Sequence, residues 1–183
     1  MKYWIAILAI VGACHQKQEP AMPSNQTIFS TDLSLKNDNG TWLWKGTKYT
    51  GYIVEKFESQ ITAKLPVING KVNGVALGWY KSGKKRYERD LINGNREGTD
   101  KGWHENGRLA FENFFKNDKY ESEQRSYHEN GQLWQSLHYK EGQEEGKQKT
   151  WDKNGRVINN FTVKNGKLYG VIGRYDCMSV VKK

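Results

Sequence analysis

The chain has 183 residues, a formal net charge of +9, 36% hydrophobic residues, 19 glycines, three prolines and two cysteines. A length of this order fits one domain. The basic balance points to three classes of partner, namely nucleic acid, anionic lipid and acidic envelope polymers.

In chain order, Lys2 is followed by an apolar run over residues 3–12 and by the short residues Val11-Gly12-Ala13 before Cys14. Charge, apolar run and small residues in this order form a secretory signal, with residues 1–13 removed on export. The run is well short of the ~20 residues that span a bilayer as a helix. Val11-Gly12-Ala13-Cys14 is similar to the bacterial lipobox, and the resemblance implies acyl chains on Cys14. Each buried methylene adds ~0.8 kcal/mol, so two or more chains anchor stably where one does not. Cleavage removes Lys2 and no acid, leaving 28 bases against 20 acids, a formal charge of +8. Cys177 is then the one cysteine beyond the anchor, so no intramolecular disulfide is expected, and it reads as a small buried hydrophobe. Export disfavours nucleic acid and leaves lipid, acidic polymer or protein as partner. The expected location is the cell envelope, as an outer-membrane lipoprotein.

Residues 14–27 are polar, contain Pro20 and Pro23, and read as a flexible tether. Order is expected from residue 28 to the C-terminus. A first ordered stretch over residues 28–35 precedes a turn at Asn39-Gly40, a strand at Trp42-Leu43-Trp44, a turn at Gly46 and a strand over residues 49–57. Residues 41–68 read as a degenerate first repeat. Gly51 is one place out of register there, which suggests a bulge or a capping variation.

From residue 69 the chain repeats every 24 residues. The series Asn69-Gly70, Asn93-Gly94, Asn117-Asp118, Glu141-Gly142 and Asn165-Gly166 marks one turn of each unit. A second series, Gly74, Gly98, Ser122, Gly146 and Gly170, precedes the aromatics Trp79, Trp103, Tyr127, Trp151 and Tyr175. Gly83, Gly107, Gly131 and Gly155 close a second turn. The units are 69–92, 93–116, 117–140 and 141–164, with a cap at 165–183. Self-similarity at this period marks stacked units, none of which buries its own apolar face. Asn-Gly favours tight hairpins because both residues tolerate positive φ. Two turns per unit imply two antiparallel strands per unit. The expected fold is all-β, an elongated antiparallel meander forming one twisted or coiled sheet.

Alternation in the second strands, as in Leu109, Phe111 and Phe115, places odd-numbered apolar residues on a covered face. Phe114 and Trp134 break the alternation, either as exposed aromatic area or as part of a binding surface. A three-residue loop Glu105-Asn106-Gly107, with glycine last, pairs Trp103 with Leu109. The same count pairs Tyr127 with Leu133, Trp151 with Val157 and Trp79 with Lys85, and the aromatic column is expected on the covered face.

The motif Gly-x-x-x-x-Trp-x-x-x-Gly at residues 98–107 and 146–155 resembles the variant MORN repeat of bacteria. The paired form beginning at Asn93-Gly94 resembles the YwqK-type antitoxin component family, over roughly residues 46–170. The resemblance implies stacked β-hairpins, no enzymatic activity, and a role in membrane attachment, scaffolding or binding. Asp118 and Ser122 depart from the pattern, so a looser turn is expected in that unit.

His104-Glu105 and His128-Glu129 occupy equivalent positions, but neighbouring units place them ~10 Å apart, too far to share a metal unaided. His138 has no nucleophile-elbow or triad pattern around it. No catalytic residue, metal or cofactor is therefore expected. The cluster Lys81, Lys84, Lys85, Arg86 and Tyr87 reads either as a grip for phosphate or acidic glycan or as a solvated strand surface. The functional expectation is a non-enzymatic, lipid-anchored binding or scaffolding protein. An antitoxin or immunity-like protein that sequesters one partner is the alternative.

Overall fold

The computed structural model describes residues 26–174 and 177–180, with side chains through residue 170. Cys14, Tyr175 and the side chain of Cys177 lie outside the described residues. The N-terminal strands are β1 (Thr27–Phe29), β2 (Leu35–Asp38), β3 (Thr41–Trp44), β4 (Thr47–Lys48), β5 (Gly51–Phe57) and β6 (Gln60–Ile68). The array continues through β7 (Lys71–Val72), β8 (Gly74–Trp79), β9 (Lys85–Ile92), β10 (Asn95–Trp103), β11 (Leu109–Lys116) and β12 (Lys119–Tyr120). It ends with β13 (Ser122–Tyr127), β14 (Leu133–Lys140), β15 (Gln143–Trp151), β16 (Val157–Lys164), β17 (Lys167–Arg174) and β18 (Cys177–Val180).

These strands build an open, mostly antiparallel meander of 15 strands that follows chain order from β5. The expected all-β repeat fold is the observed one. Two features at the N-terminal end differ from the expected single antiparallel sheet. Strand β1 joins the edge of the sheet parallel to β5, and β2, β3 and β4 form a separate three-stranded sheet. Ile28, Tyr49, Ile53 and Val67 form the buried cluster there, with Leu35, Trp42 and Trp44 packed on it. This N-terminal sheet caps the apolar end of the array, as a terminal repeat must.

The irregular Gly51 has a local cause. The β5–β6 hairpin turns through Glu58-Ser59, with Phe57 paired to Gln60, one residue fewer than the later loops. The residue saved there is spent between Gly46 and Gly51, where Tyr49 is 3% exposed and donates its hydroxyl to the Gln26 and Tyr52 carbonyls.

Both turn types take the expected form. Asn93 and Gly94 have φ of 53° and 89°, as a two-residue hairpin with both residues left-handed requires. Asn117 and Asp118 hold the same turn at 50° and 61°, so the looser turn expected in that unit is not found. Asp118 compensates for its strain: its carboxylate accepts from the Arg96 amide at 2.8 Å and its own amide donates to the Arg96 carbonyl. At the other end, His104 N donates to Arg108 O and Gly107 N donates to His104 O, both at 2.8 Å. Gly107, at φ 88°, ends the three-residue loop.

Trp103 pairs with Leu109, Tyr127 with Leu133, Trp151 with Val157 and Trp79 with Lys85, as expected. The face they occupy is not the expected one. Gly102 pairs with Phe111 rather than Ala110, so β11 carries one extra residue immediately after the Trp103–Leu109 pair. That bulge reverses the parity of the strand. Phe111, Asn113 and Phe115 therefore face Gly102, Asp100 and Gly98, and the aromatic column lies on the opposite, charged face. Lys85, ion-paired with Glu88, rests its ammonium 4.6 Å from the Trp103 ring centroid. All four described aromatics of the column are half-buried.

The inner face is lined by unexpected residues. Ala76, Asp100, Gln124 and Gln148 form a column 24 residues apart and are at most 3% exposed. Each lies two residues after the positive-φ position held by Gly74, Gly98, Ser122 or Gly146. At that position the first strand of the unit buckles and its ladder to the preceding strand opens. In β10 the partners jump from Arg96↔Leu91 to Asp100↔Arg89. The Gln124 amide fills the corresponding gap, accepting from Phe114 N at 2.9 Å and donating to Phe114 O and Glu121 O. Gln148 likewise donates to His138 O at 2.7 Å. The residue across the first gap is Pro66, which has no N–H to satisfy, and Ala76 suffices there.

Beside this column the inner face changes character along the array. Gly78 and Gly102 lie beneath the rings of Tyr87 and Phe111; a Cβ on Gly102 would come within 2.2 Å of Phe111. Further on, Gln135 donates to Ser126 Oγ and Asn159 to Thr150 Oγ1. A ring over a glycine is thus replaced by an amide on a hydroxyl at the same two positions.

Two predictions separate these roles. Gly107→Ala meets no neighbour within 4 Å, so strain at positive φ is its one cost, about 1 kcal/mol. Gly102→Ala must displace Phe111 and should cost about 1–3 kcal/mol by overpacking. Urea unfolding of the two variants measures both, and a smaller loss for Gly102→Ala than for Gly107→Ala would contradict the assignment. Gln124→Leu keeps the volume but orphans the Phe114 backbone groups, for a loss of about 2–3 kcal/mol.

Candidate functional site

The three-residue loops lie side by side along one edge of the array and are tied to one another across units. Tyr80 donates its hydroxyl to the Trp103 carbonyl at 2.7 Å. His104 and His128, 24 and 48 residues on, do the same through Nε2 to Tyr127 O at 2.9 Å and Trp151 O at 3.2 Å. A carbonyl only accepts, so both Nε2 atoms carry the proton. Asn106 donates to Glu129 O and Asn130 donates to Lys153 O, while each side-chain oxygen accepts from the amide two residues on. The histidine pairs thus serve as straps between units. Among the described residues no group of three or more His, Cys, Asp or Glu side chains is gathered as a metal would need.

The basic cluster is spread out by its own contacts. The Lys81 ammonium lies 3.7 Å from the Phe57 ring centroid, Lys84 donates to Glu105 O, Lys85 pairs with Glu88, and Arg86 lies over Tyr87. These cations do not converge on one anion position. Elsewhere on the charged face Lys101 meets Glu112 at 2.8 Å, and that hydrogen bond raises the lysine above its ordinary range. Burial pushes the Glu123 carboxyl up, but hydrogen bonds from Arg125 and Ser136 outweigh it and hold it below its ordinary value.

What the edge does offer is an open groove of about 910 Å³ between the loops of adjacent units. Ala110 and Tyr127, adjacent across β11 and β13, lie along it; Trp134 forms a wall, and His104, His128, Glu129 and Lys153 line the rest. Trp134 is 46% exposed, with its ring centroid 6.1 Å from that of His128. Two units earlier a smaller groove of about 560 Å³ places Arg86 at the position equivalent to Trp134, beside Tyr80, Lys81 and Phe57. Of the two residues that broke the alternation, Trp134 belongs to the larger groove and Phe114 does not. The structural turns at Gly83, Gly107, Gly131 and Gly155 hold the loops that rim this edge, each at positive φ. The groove escaped sequence reasoning because it joins residues of three units; the one signal was an aromatic where equivalent positions hold Arg86, Ala110 and Ile158.

Residues 120–141 match the family described as MORN repeat variant. The match falls on a single unit, and the flanking units carry the same turns, bulges and pairings in the same register. No curated protein and no solved structure matches the chain.

Replacing Asn106 by Ala removes its bonds to Glu129 O and Arg108 N while leaving the turn glycine in place. The expected loss is about 1–2 kcal/mol in urea unfolding. Faster hydrogen exchange at the Arg108 amide should accompany it, and unchanged exchange would show that the straps do not hold the loop.

Proposed function

We propose that the chain is a non-enzymatic binding module, held at an envelope membrane by acyl chains on Cys14, with the loop edge of its repeat array as the working surface. The observation that carries the reading is the fate of its polar groups. His104 and His128 are committed to carbonyls of the next unit, and Gln124 and Gln148 to gaps in the ladder. What remains open at the surface is a groove with an exposed indole and unpaired polar ends. Such a surface suits recognition rather than bond-making. MORN repeats often serve as protein-binding or membrane-binding modules, which is compatible with this role.

The anchor rests on Val11-Gly12-Ala13-Cys14. The prolines of residues 14–27 would let the array stand away from the bilayer. Cells grown with radiolabelled palmitate should label the wild-type chain and leave Cys14→Ser unlabelled. Equal labelling of the two would remove the anchor and leave a soluble exported module.

A further inference from the structure

We propose that the groove beside Trp134 is a glycan site, in which the indole carries the face of a pyranose ring while Glu129, Lys153 and the free nitrogen of His128 engage its hydroxyls. The proposal rests on the binding-module reading and names its ligand class.

The fold does not require an aromatic at this position. Arg86, Ala110 and Ile158 occupy it in the other units, and the pairing around it is the same in each. Trp134 is nonetheless 46% exposed, and its indole N–H has no partner among the described residues. Ala110, the equivalent residue one unit earlier, supplies the space in front of it, because its methyl leaves the floor beside Tyr127 open. The polar groups of the rim divide into two sets. Asn106, Asn130 and both histidine Nε2 atoms are spent on the straps. The Glu129 carboxylate, the Lys153 ammonium and His128 Nδ1 have no partner among the described residues.

An exposed flat ring edged by an acceptor carboxylate and donor groups matches a sugar. One face of a pyranose presents C–H groups suited to an aromatic surface, and its edge presents hydroxyls that both donate and accept. The competing ligands fit less well. A peptide added as a strand needs unpaired backbone, and here β13, β14 and β15 are already paired with one another. A nucleic-acid strand stacking on the indole would bring phosphates to a rim that carries Glu129.

The test is titration calorimetry of the full chain without its leader, using chitotetraose and cellotetraose as probes and an octaproline peptide as the comparison. At least one tetrasaccharide should bind saturably. Trp134→Ala should weaken it about tenfold or more, Trp134→Phe should retain most of it, and Glu129→Gln should weaken it less than the alanine change does. Ala already occupies the equivalent position at Ala110, so Trp134→Ala should fold, and an unchanged thermal melt checks this. Binding of neither tetrasaccharide, or equal binding by Trp134→Ala, overturns the proposal. Octaproline binding that depends on Trp134, with no glycan binding, also overturns it but leaves the binding-module reading standing.

Discussion

The structure depends on how each unit satisfies the backbone it breaks. A positive-φ residue at Gly74, Gly98, Ser122 or Gly146 buckles the first strand of a unit and opens the ladder to the strand before it. Left bare, each gap would bury peptide groups at a cost comparable to lost hydrogen bonds. The Gln124 amide closes one gap with three bonds, Gln148 donates a single bond to His138 O in the next, and Pro66 makes the first gap harmless by lacking an N–H.

A second consequence is how the units adhere. The buried apolar cluster lies at the N-terminal end, around Ile28, Tyr49, Ile53 and Val67. Further along, polar contacts repeated at each step join the units beside the stacked Phe115, Tyr120 and Tyr139 rings. Carboxylates of Glu97, Glu121 and Glu145 accept from the amides of Asn117, Glu141 and Asn165, the first residues of the following turns. On the opposite edge Tyr80, His104 and His128 reach the carbonyls of Trp103, Tyr127 and Trp151. Each hairpin is thereby tied at both ends to the next, and nearest-neighbour terms dominate its stability. The same arrangement frees the outward positions of each loop edge to vary, so the place of Arg86 and Ala110 can hold Trp134.

The repeat itself was legible in the residues. The 24-residue period, the tight Asn-Gly turns, the three-residue loops ending at Gly107 and its equivalents, and the Trp103–Leu109 pairing all follow from chemistry local to a few residues. Turn geometry depends on which residues accept positive φ, and that preference is written in the chain. The N-terminal sheet was half legible: the turns at Asn39-Gly40 and Gly46 were visible, but nothing local distinguishes strands that leave the main sheet from those that join it. The polar column of Asp100, Gln124 and Gln148 had a trace in its 24-residue spacing, masked because alternation arguments search for apolar residues.

Tertiary structure alone decided the faces and the groove. One extra residue after the Trp103–Leu109 pair exchanges inside for outside along the rest of β11, and a period-2 pattern carries no memory across such a bulge. The aromatic column therefore lies on the charged face although its pairing was foreseeable. The groove draws Ala110, Tyr127, Trp134 and Lys153 from three units, and their proximity exists only once strands far apart in the chain are stacked in register. Local turn chemistry sets where each hairpin begins and ends, whereas the site depends on the sideways packing of units, which no single unit encodes.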